Sequence, residues 1–125
     1  MAEKIYQMAV DATLDIISGK WKTAILCNLG TGSMRTNELR RQLPGISQRI
    51  LTKQLKELEG KNIIARKVYP EVPPRVEYSL TENGKSLRQI LLLMSHWGEQ
   101  QVKREKKEGK NIKIIDSDLK GFESM

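Results

Sequence analysis

The stretch Leu43 to Glu59, LPGISQRILTKQLKELE, decides how this chain folds. Pro44-Gly45 closes whatever precedes it, because proline cannot continue a helix and glycine enters turns without steric cost. Ser47 then stands as an N-cap, its hydroxyl able to accept an orphan N–H of the first turn. Ile46 before it and Leu51 beyond it can form a hydrophobic staple. Apolar residues recur at Leu51, Leu55 and Leu58, so one face of a helix is buried. The opposite face carries Gln48, Arg49, Thr52, Lys53 and Lys56, while the acids Glu57 and Glu59 fall in the last turn. Gly60 and Asn62 supply the stop.

Upstream, Asn37 to Leu43 predicts a two-turn helix with Leu39 and Leu43 on one face and Arg40 and Arg41 on the other. Before it, Trp21, Ile25, Leu26 and Leu29 predict a helix over Lys20 to Leu29, ended by Gly30-Thr31-Gly32-Ser33. Val10, Leu14 and Ile17 predict a short first helix that Ser18-Gly19 interrupts. Asp11 and Asp15 are four apart on it and read as a repelling surface pair.

Downstream, Ile63 to Tyr69 is rich in β-formers, and Val76, Tyr78 and Leu80 alternate with Arg75, Glu77 and Ser79. Pro70 to Pro74 (PEVPP) cannot continue a ladder, so the expectation is two antiparallel strands joined by a stiff loop. Thr81 then caps a long helix bearing Leu87, Leu91, Met94 and Trp97, with Ile90, Leu92 and Leu93 widening its apolar surface. That surplus calls for a partner, either the first helices of the same chain or the equivalent helix of a second copy. Lys103 to Lys110 (KREKKEGK) reads as a solvated helix end. The expected organisation is one domain over residues 1–110 and a tail, 111–125, weakly structured or docked through Ile112, Ile114 and Ile115.

With 125 residues and 38% hydrophobic content, the chain suits one modest core. Lys and Arg number 22 against 15 Asp and Glu, a net charge of +7 that favours polyanionic partners. No apolar run approaches the ~20 residues of a membrane span, and no secretory signal precedes the first helix, so a cytoplasmic protein without a membrane partner is expected. Cys27 is the only cysteine and sits in an apolar run, as a buried small hydrophobe would. His96 is the only histidine, beside Trp97, where packing is its ordinary role. These two offer no metal-ligand spacing, and no glycine-rich phosphate loop or convergent catalytic set is present. Neither a cofactor nor an enzyme is expected.

Two short helices joined by Leu43-Pro44-Gly45-Ile46 and followed by a hairpin have the order of a winged helix-turn-helix. The fold class is thus mainly α with a small β-hairpin, a winged helix-turn-helix flanked by N- and C-terminal helices that are the candidates for dimerisation. In such a unit the second helix lies in the major groove, where Gln pairs with adenine, Arg with guanine and Thr meets the thymine methyl. Gln48, Arg49 and Thr52 are therefore the candidate base readers. Arg40, Arg41, Ser47, Lys53, Lys56, Lys67 and Arg75 are candidates for the DNA backbone, with Arg66 nearby on the hairpin. Two alternatives stay open: Arg75 can instead pair with Glu71 or Glu77, and Arg40 and Arg41 can be an ordinary solvated face. Leu14, Ile90, Leu91, Met94 and Trp97 are the candidate dimer contacts. The partners implied are double-stranded DNA and a second copy of the chain, with an unidentified small-molecule effector left open. The competing reading is a winged-helix protein-interaction module without specific DNA binding.

The segments ISGKWK (Ile17–Lys22), NELR (Asn37–Arg40), LPGISQRI (Leu43–Ile50), LTKQLKELE (Leu51–Glu59) and YSLTENG (Tyr78–Gly84) together resemble the HxlR-type family of bacterial transcription regulators, relatives of the MarR group. The resemblance runs from about Thr13 to Gly98. It implies a homodimer held by N- and C-terminal helices on a roughly two-fold symmetric operator. Several such relatives sense oxidants through a cysteine shortly before the first helix, near the place of Met8 here, so that thiol switch does not carry over. Thr36 stands where relatives commonly have an aromatic residue.

Overall fold

A computed structural model describes residues 2–115, 120–123 and 125. Helix α1 spans Ala9–Ile17, and its start is fixed by Asp11, whose carboxylate accepts the Met8 N–H at 3.1 Å. Asp15 has other partners: Lys4 Nζ and the Tyr6 hydroxyl each lie 2.7 Å from Oδ2. The two aspartates are thus separately engaged instead of forming an isolated repelling pair. Helix α2, Lys22–Leu29, buries Ile25, Leu26 and Leu29.

The helix-turn-helix follows the local signals closely. Helix α3 covers Thr36–Gln42, and Glu38 accepts the Arg35 N–H at 3.0 Å. The turn closes through Ile46 N–H to Leu43 O at 3.1 Å, with both side chains buried and Gly45 at φ +90°, a conformation that favours glycine. Helix α4, Gln48–Gly60, is capped by Ser47, whose Oγ accepts the Ile50 N–H at 3.1 Å. It buries Leu51, Leu55 and Leu58. Asn62, at φ +59°, turns the chain out of the helix, a geometry Asn tolerates better than most residues.

The sheet has one strand more than the expected hairpin. Strand β1 (Met34–Arg35) pairs antiparallel with β3 (Arg75–Leu80), which also pairs with β2 (Ile64–Tyr69), giving the order β1-β3-β2. The register sets Arg35 and Lys67 on either side of Glu77, and Tyr69 opposite Arg75. Directly opposed residues share a face, as do residues two apart along a strand. Arg35, Lys67, Tyr69, Arg75 and Glu77 therefore lie on one face of the wing, and Arg66 lies on the other.

The long C-terminal helix is divided, which corrects the expectation that Thr81 caps it. Thr81 caps only the single turn α5, Glu82–Lys85, its Oγ1 accepting the Gly84 N–H at 2.9 Å. Gly84 rests against the start of β2 so closely that a Cβ there would stand 2.1 Å from the Ile63 carbonyl oxygen. A tight Leu87 N–H to Gly84 O bond closes the turn, and α6 then runs Arg88–Lys107.

The tail holds a second departure. Ile114 and Ile115 are exposed, whereas Phe122, the only phenylalanine, is 0% exposed in the core. It belongs to α7, Lys120–Glu123, which packs on α2, and its carbonyl accepts a hydrogen bond from Arg88 Nε. Arg88 opens α6, a helix of 20 residues and so about 30 Å long. The chain beyond Lys107 must therefore come back along most of that length. The intervening residues 116–119 lie outside the described residues, as does Ser124. Leu91, expected at a dimer contact, is 3% exposed and is spent in the chain's own core.

Candidate nucleic-acid interface

At 100° per residue, Arg49, Lys53 and Lys56 fall within about 60° of one another on α4, directly opposite Leu51, Leu55 and Leu58. All three cations are exposed because the leucine stripe holds the other side in the core. Gln48 and Thr52 lie on one flank of this stripe, joined by a long hydrogen bond from Gln48 Nε2 to Thr52 Oγ1 at 3.4 Å. On the other flank stand Ile50 and Glu57.

Glu57 would place negative charge beside a basic surface, and the structure neutralises it. Lys22 Nζ, at the start of α2, lies 2.7 Å from Glu57 Oε2, with the lysine side chain only 14% exposed. That hydrogen bond, with the positive charge behind it, holds the Glu57 carboxyl below its ordinary range. The net field along the outward face of α4 is therefore set by Arg49, Lys53 and Lys56.

Arg40 and Arg41 are exposed in the last turn of α3, and Ser47 is exposed but engaged in its cap. On the wing, Lys67 is exposed and its Nζ lies 4.8 Å from the centre of the Tyr69 ring. Arg75 stacks on the same ring at 3.8 Å, and its Nε lies 3.0 Å from Glu71 and 3.8 Å from Glu77. The contact to Glu71 is an ion pair without the alignment of a hydrogen bond, since the buried Nε has no acceptor in hydrogen-bonding geometry. Arg75 thus has the internal partners that the sequence left as an alternative.

Two exposed residues of this region escape sequence reasoning. Ile50, 41% exposed, is the apolar position of α4 off its leucine stripe, a signal that helical geometry makes readable. Arg35 joins the wing face only through strand β1, which has no local signature. Elsewhere, Leu14, Ile90, Met94 and Trp97 are exposed, together with Leu93, Met8, Val10 and Ile5. Among the described residues, no group of three or more His, Cys, Asp or Glu side chains could hold a metal ion, and no helix is long and apolar enough to cross a membrane.

The model of HxlR-like helix-turn-helix proteins matches residues 16–106. The HTH-type transcriptional regulator YtcD of Bacillus subtilis is 50% identical over 104 residues, 83% of this chain and 82% of that protein. Among solved structures, the redox regulator HypR in its reduced form superposes with a TM-score of 0.74 at 48% identity, covering 82% of this chain and 100% of that one. A MarR-family transcriptional regulator of Enterococcus faecalis V583 has the same TM-score at 38% identity, covering 83% and 94% of the two chains. These relatives are regulators and not enzymes, and the winged helix-turn-helix with its three-stranded sheet is the architecture they share. The chain belongs to the HxlR-like helix-turn-helix family of transcriptional regulators.

Proposed function

We propose that this regulator binds a pseudo-palindromic duplex operator as a homodimer, acting in the cytoplasm. Residues 1–110 form the binding and dimerising unit in this reading. Gln48, Arg49 and Thr52 read base edges, while Arg40, Arg41, Ser47, Lys53, Lys56, Lys67 and Arg75 hold the backbone. The observation that carries the reading is the exposed Arg49, Lys53 and Lys56 stripe, with the neighbouring Glu57 neutralised by Lys22. Ile50 adds an apolar contact of the kind a thymine methyl offers.

Dimerisation rests on the apolar side chains left uncovered on α1 and α6. Leu93 is 63% and Trp97 69% exposed on α6, where Ile90 and Met94 are exposed too, as is Leu14 on α1. Surfaces of this kind are normally covered in a symmetric dimer. Two recognition helices would then enter successive major grooves roughly 34 Å apart. The name of HypR as a redox regulator belongs to that protein; here position 8 is methionine and Cys27 lies on α2, so no thiol switch is proposed.

The test is titration of an operator selected from genomic fragments. Arg49→Ala is expected to cost about 1–3 kcal/mol and to relax preference at one base position, whereas Lys56→Ala weakens all sequences alike and lowers the salt slope by about one. Neither variant binding more weakly than wild type would remove the assignment of α4 as the recognition helix.

A further inference from the structure

The wing arginine is not idle. Its guanidinium carbon lies 3.8 Å from the centre of the Tyr69 ring, and its Nε is flanked by Glu71 at 3.0 Å and Glu77 at 3.8 Å. The two carboxylates differ in kind. Glu77 is on strand β3, fixed by the ladder, and the register places Arg35 and Lys67 beside it as further cations. Glu71 sits outside the ladder in the loop between β2 and β3, half exposed, with its backbone N–H bonded to Tyr69 O at 2.8 Å. It is the one of the pair that the loop can release without breaking strand pairing.

The contact Glu71 makes is also incomplete. Arg75 Nε is buried and close to the carboxylate, yet has no acceptor in hydrogen-bonding geometry. A buried donor left in that state gains from a better-placed oxyanion, and a phosphate oxygen is one. Tyr69 would keep the guanidinium in place through such an exchange, because attraction of the cation to the ring uses none of its N–H donors and leaves them for the new acceptor.

We propose that Glu71 is a latch, an internal stand-in for a DNA phosphate that holds Arg75 on the Tyr69 ring until duplex DNA displaces it. The proposal rests on the DNA-binding reading above and adds a regulatory element to it. Each binding event must first break the Glu71–Arg75 pair, so Glu71 lowers the affinity of the wing for any duplex. Because the opposing charge comes from the protein, the effect is the same for every sequence. Specificity from α4 is untouched while non-specific residence is shortened.

The experiment is a double-mutant cycle on the full chain, with affinity for the selected operator and for a random duplex read by fluorescence anisotropy. Glu71→Gln keeps the shape and removes the charge; Arg75→Ala removes the latched group. Glu71→Gln is expected to tighten binding to both duplexes about 3-fold, within the range of a partly exposed pair. In the Arg75→Ala background the same substitution should change affinity by less than about 1.5-fold, and Arg75→Ala alone should lower the salt slope by about one. Thermal melts of all four proteins verify that each is folded under the assay conditions. An equal gain in both backgrounds would mean that Glu71 acts only as a distant charge, and overturns the latch. So would weaker binding by Glu71→Gln, which would make Glu71 a support for Arg75. A wild-type response that is flat across the salt series removes the DNA reading itself, an outcome distinct from either of these.

Discussion

Replacing Phe122 by alanine tests whether the C-terminal segment is a working part of this fold. The ring is 0% exposed and joins the core beside α2, and the adjoining carbonyl accepts a hydrogen bond from Arg88. A buried phenylalanine removes roughly 150–250 Å² from water, and measured losses for Phe→Ala in cores run to about 3–5 kcal/mol. There is a ceiling on this loss. Because α7 reaches the core at the end of a long return, the segment can undock on its own, and the variant cannot lose more than docking contributes. A chain ending at Ile115 measures that ceiling directly. At ~2.1 cal/mol/K per residue, a domain of this size shifts by about 4 °C for each kcal/mol, so Phe122→Ala is expected to lower Tm by about 12–20 °C. The assay is thermal and urea unfolding of wild type, Phe122→Ala and the chain ending at Ile115. The shortened chain should lose at least as much as the point variant. A loss below about 1 kcal/mol in both would refute the reasoning, for it would mean that α2 and α6 are equally stable without the segment.

Three further outcomes follow from the geometry. Gly84→Ala places a Cβ 2.1 Å from the Ile63 carbonyl oxygen, a backbone atom that cannot swing aside, so unfolding experiments should show a loss of about 1–3 kcal/mol. Asp15, held to a pKa of about 2 chiefly by its hydrogen bond from Lys4 and then by Tyr6, contributes stability that is present above its ordinary value near 3.8 and is lost as pH falls through about 2; the Tyr6 and Lys4 resonances should report these two residues leaving α1 over that window, and their staying in place at pH 2 would contradict the assignment. Trp97→Lys puts a charge in the largest uncovered apolar side chain of α6, so sedimentation should show dimer dissociation rising by more than about tenfold, with wild type migrating as two chains.

The parts of this molecule readable from its sequence are those built by neighbours in the chain. Ser47, the leucines at 51, 55 and 58, and Asn62 are all within one helix length, so capping and periodicity locate α4 and its outward residues. The alternation around Val76, Tyr78 and Leu80 likewise marks β3. Strand β1 was not readable, since Met34–Arg35 is two residues long and exists only because β3 lies beside it. That pairing alone brings Arg35 to the wing face. The division between α5 and α6 was equally hidden, because it depends on Gly84 pressing against Ile63 from a different element. Leu91 and Leu93 stand two apart on α6 and so on opposite faces of it, but only the packing decides that the face of Leu91 is the buried one.

The sequence by itself therefore determined the helix-turn-helix, the basic outer face of α4 and the family, because caps, periodicity and charge are local properties that survive without neighbours. Tertiary structure decided which charges are active and which are spent. Lys22 cancels Glu57 across two helices, while Glu71 holds Arg75 across the wing loop. Phe122 closes the core from the far end of the chain. Each of these depends on a distance between segments that only folding sets, and Coulomb attraction and apolar burial both act over that distance and not along the sequence.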